Sequence, residues 1–200
     1  MTASRSKRIF MVLVAILCVI RFSFFIYTYD KNPELIIDPD TQSYLDIAAS
    51  LYERGKYERV AGVAETHRPP GYASYLALNY AIFGQDNLLA PVIIQHILSV
   101  LMVVMVSYLA FGLGGPVAGV IAAVVYLLDF TSFYYLNEVL SETLFTFFIV
   151  LSLFLIRKSI DAWETPFRWF LLAGLVTTLA VFVRPVGMLL MYPTTLYQLA

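Results

Sequence analysis

The chain has 200 residues, of which 60% are hydrophobic, 16% are aromatic and only 14% are charged, and its mean hydropathy is +0.77. Soluble domains are roughly 45–50% apolar and about 25% charged, so this composition excludes an ordinary soluble domain and indicates a membrane protein. The net charge of −1, with scattered basic residues, argues against a nucleic-acid binder, and the single cysteine, Cys18, excludes a disulfide scaffold.

A first apolar stretch covers residues 9–29 and follows three basic residues, Arg5, Lys7 and Arg8. It is longer than the roughly 7–15 apolar residues of a secretory signal. It also becomes aromatic toward its end, as spans do where they reach the membrane surface. We therefore predict an uncleaved first transmembrane span.

Residues 30–71 form the one long polar stretch, within a predicted outer loop over 30–87, and hold nearly half of the charged residues. Loops of this length are usually functional. Apolar positions with a 3.6-residue period predict an amphipathic helix over 41–54, which ends at Gly55 and lies along the membrane surface. A second helix is predicted over 72–83. At ~1.5 Å per residue it reaches about 18 Å, less than the ~30 Å hydrocarbon core, so we expect it to lie in the interface without crossing.

The rest of the chain predicts further spans at about 88–111, 116–129, 139–156 and 167–183, and the start of another at 186–200. If the 72–83 helix does not cross, the basic residues before the first span and after the fourth fall on one side, which the positive-inside rule identifies as cytoplasmic. We therefore predict an all-α, polytopic helical bundle in the plasma (inner) membrane, with a cytoplasmic amino terminus and an extracytoplasmic first loop. We also expect residues 1–200 to be a single transmembrane module that forms the front part of a longer protein.

Two carboxylates precede the first surface helix. Asp40 occupies the predicted N-cap position, where backbone N–H groups and the helix dipole favour a negative carboxylate, and it can accept a proton. Asp38, two residues earlier, either orients a substrate hydroxyl or shares a divalent cation with Asp40, which is the only cofactor that the sequence suggests. The alternative is that both are solvated acids beside a capped helix.

Four further charged residues, Arg68, Glu138, Glu142 and Arg184, fall on or near the same outer face in this topology. Arg68 follows His67 at the water boundary, where its five fixed donors suit a phosphate or where it anchors the segment in the interface. Glu142 lies one helical turn deeper than Glu138. An acid within a span costs at least ~2.5–3.5 kcal/mol at mid-bilayer, so it is expected to face a cavity or a partner. Arg184, at the end of the fifth span, can pair with Glu142 or with a phosphate.

Four other residues are interpreted as structural: Cys18, Arg21, His67 and His96. The two histidines form no metal-ligand cluster with each other. Arg21 lies in the outward half of the first span, where its long side chain is expected to extend toward water.

The order of four motifs resembles a known family. The motifs are Asp40-x-x-x-Tyr44-x-x-x-Ala48, Arg68-Pro-Pro-Gly-Tyr72, Leu140-Ser-Glu-Thr-Leu-Phe145 and Val183-Arg-Pro185. In this order the chain looks like the amino-terminal module of GT-C glycosyltransferases, the dolichyl-phosphate-mannose–protein mannosyltransferase-like and aminoarabinose-transferase-like families. The resemblance covers nearly all 200 residues and maps the family's catalytic aspartate onto Asp40. Many relatives carry an acid directly after it, where this chain has Thr41.

The resemblance implies an enzyme that transfers a sugar from a polyprenyl-phosphate donor to an acceptor hydroxyl, with inversion, on the extracytoplasmic face. Asp40 is then the general base, and four residues are assigned to donor binding: Arg68, Arg184, Glu142 and Tyr44. The acceptor is a protein, a lipid or a glycan. Two alternatives remain open. One is a transporter or flippase fragment, whose intramembrane acids couple ions, and the other is a truncated, non-catalytic assembly partner.

Overall fold

The computed structural model describes residues 3–161 and 166–190, which are mostly helical. The elements in chain order are α1 (Ala3–Lys31), a 3-10 helix (Pro33–Ile36), α2 (Thr41–Arg54), β1 (Glu58–Val60), β2 (Val63–Ala64), α3 (Pro70–Phe83), α4 (Leu89–Leu128), α5 (Phe130–Leu136), α6 (Ser141–Asp161), α7 (Pro166–Val183) and a second 3-10 helix (Pro185–Leu190). The prediction of a helical protein is confirmed for the described part of the chain.

The polar stretch after α1 folds into a packed pair of helices, α2 and α3. α2 ends where the sequence predicts, at Gly55, which adopts a left-handed φ of +64° and donates its N–H to the carbonyl of Leu51. α3 begins two residues earlier than predicted, at Pro70, because a proline fits the first turn of a helix. The rings of Tyr44 and Tyr72 meet edge to face at 5.1 Å between α2 and α3. Their orientation along a membrane surface stays a prediction.

A short β-hairpin lies between α2 and α3. Strands β1 and β2 pair antiparallel, and Gly62, with φ of +81°, occupies the turn between them. The all-α prediction is wrong at this one place. The hairpin escapes sequence analysis because strands of three and two residues are too short to show an alternating pattern.

Helix α4 is a hairpin of two helical segments, because two glycines interrupt it. Gly114 and Gly115 have non-helical backbone angles, and Gly115 has a φ of +71°. The segments on either side fold back on each other. Ser107 donates a hydrogen bond to the carbonyl of Gly119 at 3.0 Å, and farther along the hairpin the hydroxyls of Ser99 and Tyr126 lie 3.1 Å apart.

Two of the described helices, α4 and α6, are long and apolar enough to cross a membrane, and Phe167–Val183 is a shorter apolar helix. The number and direction of the crossings stay predictions. The predicted last span lies largely outside the description, since residues 185–190 form a 3-10 helix and residues 191–200 are not among the described ones. The side chains of the three basic residues before the first span also lie outside it.

The main core joins the ends of several helices. It contains Phe25 from α1, Tyr44 from α2, Tyr72 from α3, Leu144 from α6 and Val183 from the end of α7. This shared core places the start of α2, the entry to α3, the start of α6 and the end of α7 next to one another.

Candidate active site

A cavity of about 240 Å³ opens where these four helix ends meet. Its walls contain all five residues that the sequence assigns to catalysis or donor binding: Asp40, Tyr44, Arg68, Glu142 and Arg184. They come from four separated chain segments. The remaining lining residues are His67, Pro69, Leu140, Val183, Pro185 and Val186. The fold therefore brings these five residues together, whereas their position relative to a membrane face stays a prediction.

The first charged pair in the cavity joins Asp40 to Arg68. Nη2 of Arg68 donates to Oδ1 of Asp40 at 2.7 Å, with side chains that are 62% exposed for Asp40 and 28% exposed for Arg68. The guanidinium also lies 4.8 Å from the centre of the Tyr44 ring. Burial alone lowers the pKa of Arg68, but its hydrogen bond to Asp40 and the neighbouring Tyr44 outweigh burial and raise that pKa above the usual value. Arg68 is therefore a permanent cation.

The start of α2 differs from the predicted N-cap. Asp40 precedes the helix, but its side chain makes no cap hydrogen bond because the carboxylate turns to Arg68. Instead, the N–H of Asp40 donates to Oδ1 of Asp38 at 2.9 Å. Thr41 accepts the N–H of Asp38 and donates to the carbonyl of Val139. The loop is thus held by Asp38 and Thr41, and the carboxylate of Asp40 is left for the cavity.

The backbone at Arg68 is fixed by two side chains that the sequence analysis does not assign. Tyr57 donates its hydroxyl to the carbonyl of Arg68 at 2.6 Å, and Glu65 accepts the N–H groups of His67 and Arg68 at 2.6 and 3.3 Å. Burial, together with the charge of Glu65, raises the pKa of Tyr57 to about 12, so Tyr57 stays a hydrogen-bond donor. The hydrogen bond from the His67 N–H lowers the pKa of Glu65, so this carboxylate stays an acceptor.

The glycine of the Arg-Pro-Pro-Gly-Tyr motif allows α3 to touch the end of α7. A Cβ on Gly71 would lie 2.7 Å from backbone atoms of Phe182 and Val183, a distance that real Cβ atoms essentially never show. Only glycine permits this approach. It brings the segment that carries Arg68 against the segment that carries Arg184.

The second charged pair joins Glu142 to Arg184. Nη1 of Arg184 donates to Oε1 of Glu142 in a close ion pair with both side chains partly exposed. Glu142 lies in the first turn of α6, where the helix dipole favours a carboxylate. A chain of longer hydrogen bonds connects the two pairs. Arg68 donates to Tyr44 at 3.5 Å, Tyr44 to Ser141 at 3.3 Å, and Ser141 to Glu142 at 3.3 Å.

A comparison with known families matches residues 67–200 to one described as Dolichyl-phosphate-mannose-protein mannosyltransferase. The chain belongs to this mannosyltransferase family. The match covers in full the three motifs that contribute an arginine or a glutamate to the cavity. It therefore includes Arg68, Glu142 and Arg184, and leaves Asp40 and Tyr44 before its first residue. No curated protein and no solved structure matches the chain.

Family membership confirms the resemblance. It implies that this mannosyltransferase-family chain is a transferase that uses a lipid-linked sugar. It favours the glycosyltransferase interpretation over the transporter alternative. Donor, acceptor and catalytic residues stay predictions.

The two carboxylates of the predicted cation site have other partners in this mannosyltransferase-family chain. The carboxylate of Asp40 pairs with Arg68, whereas that of Asp38 accepts a backbone N–H. Among residues 3–161 and 166–190 there is no group of three or more histidine, cysteine or acidic residues that could hold a metal ion. A divalent cation shared by Asp38 and Asp40 stays a prediction that this arrangement does not favour.

Several other residues lie differently from the sequence-based expectation. His67, interpreted as structural, lines the cavity. Glu138 does not line it and is buried, with 6% exposure. Its burial, with the charges of Asp38 and Glu142, raises the pKa of Glu138.

Arg21 does not extend to water. Its guanidinium is buried against the rings of Phe133 and Tyr126, at 5.0 and 5.8 Å, outside the cavity lining.

Proposed function

We propose that the chain transfers a sugar from a polyprenyl-phosphate donor to an acceptor hydroxyl, with inversion at the anomeric carbon, and that Asp40 is the general base. The observation that carries this proposal is the shared cavity of Asp40, Arg68 and Arg184. A glycosyl transfer from a phosphate needs a base for the acceptor and cations for the leaving group, and this cavity holds both.

In the proposed step, the acceptor oxygen attacks the anomeric carbon opposite the phosphate. The acceptor proton passes to the carboxylate of Asp40 as the new carbon–oxygen bond forms. The bond from the anomeric carbon to the phosphate oxygen breaks, and polyprenyl phosphate leaves with the electron pair. Arg68 and Arg184 balance the charge that develops on it.

Both arginines have donors to spare for this role. A guanidinium carries five N–H groups in a planar fork, and the hydrogen bonds to Asp40 and Tyr44 occupy only part of those of Arg68. Tyr44 and Glu142 then act as positioning residues. The ring of Tyr44 supports the guanidinium of Arg68, and Glu142 holds Arg184.

The proposed reaction takes place on the extracytoplasmic face. The positive-inside rule places the amino terminus and the α6–α7 connection in the cytoplasm, which leaves the α2–α3 region outside. Nucleotide sugars are not available there, so a lipid-linked donor is the one that can reach the cavity from the bilayer.

The donor test uses the full chain in lipid nanodiscs with a polyprenyl-phosphate sugar or a nucleotide sugar. We expect donor consumption only with the lipid-linked sugar. Arg68→Ala should lower the rate by about 10²–10³-fold, as expected when an electrostatic stabiliser of the leaving group is removed. Arg54→Ala is the matched control, because Arg54 is an arginine of α2 that bonds Ser50 outside the cavity lining. Consumption of the nucleotide sugar alone would refute the lipid-donor mechanism.

The topology test places single cysteines near Lys56, Gly114 and Lys158 in a Cys18→Ser background. A membrane-impermeant thiol reagent applied from outside should label only the cysteine near Lys56. Labelling near Lys158 from outside would mean that α3 crosses the bilayer, and the proposed extracytoplasmic cavity would then be wrong.

A further inference from the structure

Glu142 also lines a second cavity of about 240 Å³, which lies between α4, α5 and α6. Six of its nine lining residues carry a hydroxyl: Tyr126, Thr131, Ser132, Tyr135, Thr143 and Thr146. The other three are Met102, Leu136 and Glu142. The two cavities therefore share a carboxylate but differ in their chemistry, since the first cavity carries two guanidinium groups and this one is lined by hydroxyls and aromatic rings.

Part of this hydroxyl lining is free to bind a ligand. Thr143 already donates to the carbonyl of Tyr135, and the hydroxyl of Tyr126 is paired with that of Ser99. Within the described part of the chain, no hydrogen bond involves the hydroxyls of Thr131, Tyr135 and Thr146. Each of these hydroxyls can donate once and accept twice.

The lining fits a neutral, hydroxylated group better than a phosphate or a prenyl tail. Among the described residues that form its walls there is no lysine or arginine to bind an anion. A prenyl tail would exclude water from the free hydroxyls of Thr131, Tyr135 and Thr146 without pairing with them, which costs free energy. A sugar ring meets both requirements, because its hydroxyls pair with the wall and its C–H faces pack on the rings of Tyr126 and Tyr135.

Because Glu142 lines both cavities, its position indicates whether the sugar in the second cavity is part of the donor or of the acceptor. The donor's phosphate and anomeric carbon must lie with Asp40, Arg68 and Arg184, and therefore in the first cavity. The acceptor needs a separate place from which one hydroxyl reaches that cavity. Glu142 uses Oε1 for Arg184 and accepts from Ser141 on Oε2, and a carboxylate has about four lone-pair sites, so it can also orient an acceptor hydroxyl.

We propose that the second cavity binds the acceptor, and that the acceptor is a neutral, membrane-borne glycoside; this rests on the proposed function. The route of entry follows from exposure. Thr146 is exposed on α6, one turn after Glu142, and α6 is one of the two helices in the described ranges that are long and apolar enough to cross a membrane. The cavity therefore opens along a helix side that lipid can reach, and a glycoside with an apolar tail can enter sideways.

The experiment measures binding separately from transfer. The probes are octyl mannoside, below its critical micelle concentration, and polyprenyl-phosphate mannose, each titrated against the full chain in nanodiscs. Asp40→Asn serves as the binding background, because it removes turnover. In this background Tyr135→Phe and Thr131→Val should each weaken octyl mannoside binding about three- to tenfold, the effect of losing one hydrogen bond, and should leave donor binding unchanged. The control is Thr178→Val, since Thr178 bonds the carbonyl of Gly174 on the exposed side of α7.

The results separate this proposal from the proposed function. Unchanged octyl mannoside affinity in both variants, or no binding of octyl mannoside at all, would overturn the acceptor site even if the lipid-linked donor is consumed. Weakened donor binding in the same variants would overturn it too, because the cavity would then hold the donor sugar. If the hydroxyl variants weaken glycoside binding but the wild type neither binds nor consumes the donor, the proposed function fails and the glycoside site stands.

Discussion

The variant Asp40→Asn separates catalysis from folding, because the fold makes little use of the Asp40 carboxylate. That carboxylate makes no cap hydrogen bond to α2 and is 62% exposed in its pair with Arg68. An exposed ion pair contributes ~0.2–1 kcal/mol, and the amide oxygen of asparagine can still accept from Arg68. The expected loss of stability is therefore below about 1 kcal/mol. Loss of the base should instead slow sugar transfer by about 10²–10⁴-fold.

The assay compares turnover of Asp40→Asn with that of Asp46→Asn, both checked for monodisperse behaviour in detergent. Asp46 is a matched control because it is an acid of the neighbouring helix α2 and, like Asp40, pairs with an arginine, Arg59, at 3.7 Å, but it lies outside the cavity lining. We expect normal turnover in the control. Near-normal turnover in Asp40→Asn would refute the assignment of the base and would make Glu142 the next candidate.

Three further predictions concern the surroundings of the cavity. Asp38→Asn should keep most of the turnover, since an asparagine oxygen can still accept the Asp40 N–H, and EDTA should not inhibit the enzyme. Large losses of turnover in both the Asp38 and Asp40 variants, with inhibition by EDTA, would instead support a bound cation. Gly71→Ala should destabilise the protein by about 1–3 kcal/mol through overpacking against α7, which is measured as a lower Tm. Gly174→Ala is the control and should not lower the Tm, because a Cβ there meets nothing within 4 Å. The pKa of Glu138 is raised in the folded state, so the folded protein binds this proton more tightly and its stability should fall as pH rises through that pKa. Glu138→Gln should therefore flatten the dependence of Tm on pH. An unchanged dependence in this variant would refute the link between Glu138 and stability.

The sequence predicts the members of the cavity well because their positions follow from helix ends. Asp40 precedes α2, Arg68 precedes α3, Glu142 begins α6 and Arg184 follows α7, and each of these boundaries is marked by proline, glycine or a change from polar to apolar residues. The predicted helices 41–54 and 72–83 differ from the observed ones by at most two residues at one end. Local chemistry is sufficient for such boundaries.

The partners of these residues could not be predicted, because they depend on contacts between distant segments. No local pattern indicates that Tyr57 holds the carbonyl of Arg68 or that Ser141 lies between Tyr44 and Glu142. The cap of α2 was predicted wrongly for the same reason. An aspartate before a helix usually caps it, but here Arg68, 28 residues later, takes the carboxylate.

The charges of the cavity also agree with the dipoles of the helices that carry them. Glu142 lies in the first turn of α6, where the dipole is positive, and Arg184 follows the last turn of α7, where the dipole is negative. Pairing these two residues therefore satisfies both helix ends and avoids an isolated charge near the bilayer. The two carboxylates and two guanidinium groups have no net charge together, so net charge alone does not attract a phosphate to the cavity. In the proposed reaction, recognition of the donor phosphate therefore depends on the unused N–H donors of the two guanidinium forks, which Tyr44 and Glu142 hold in place.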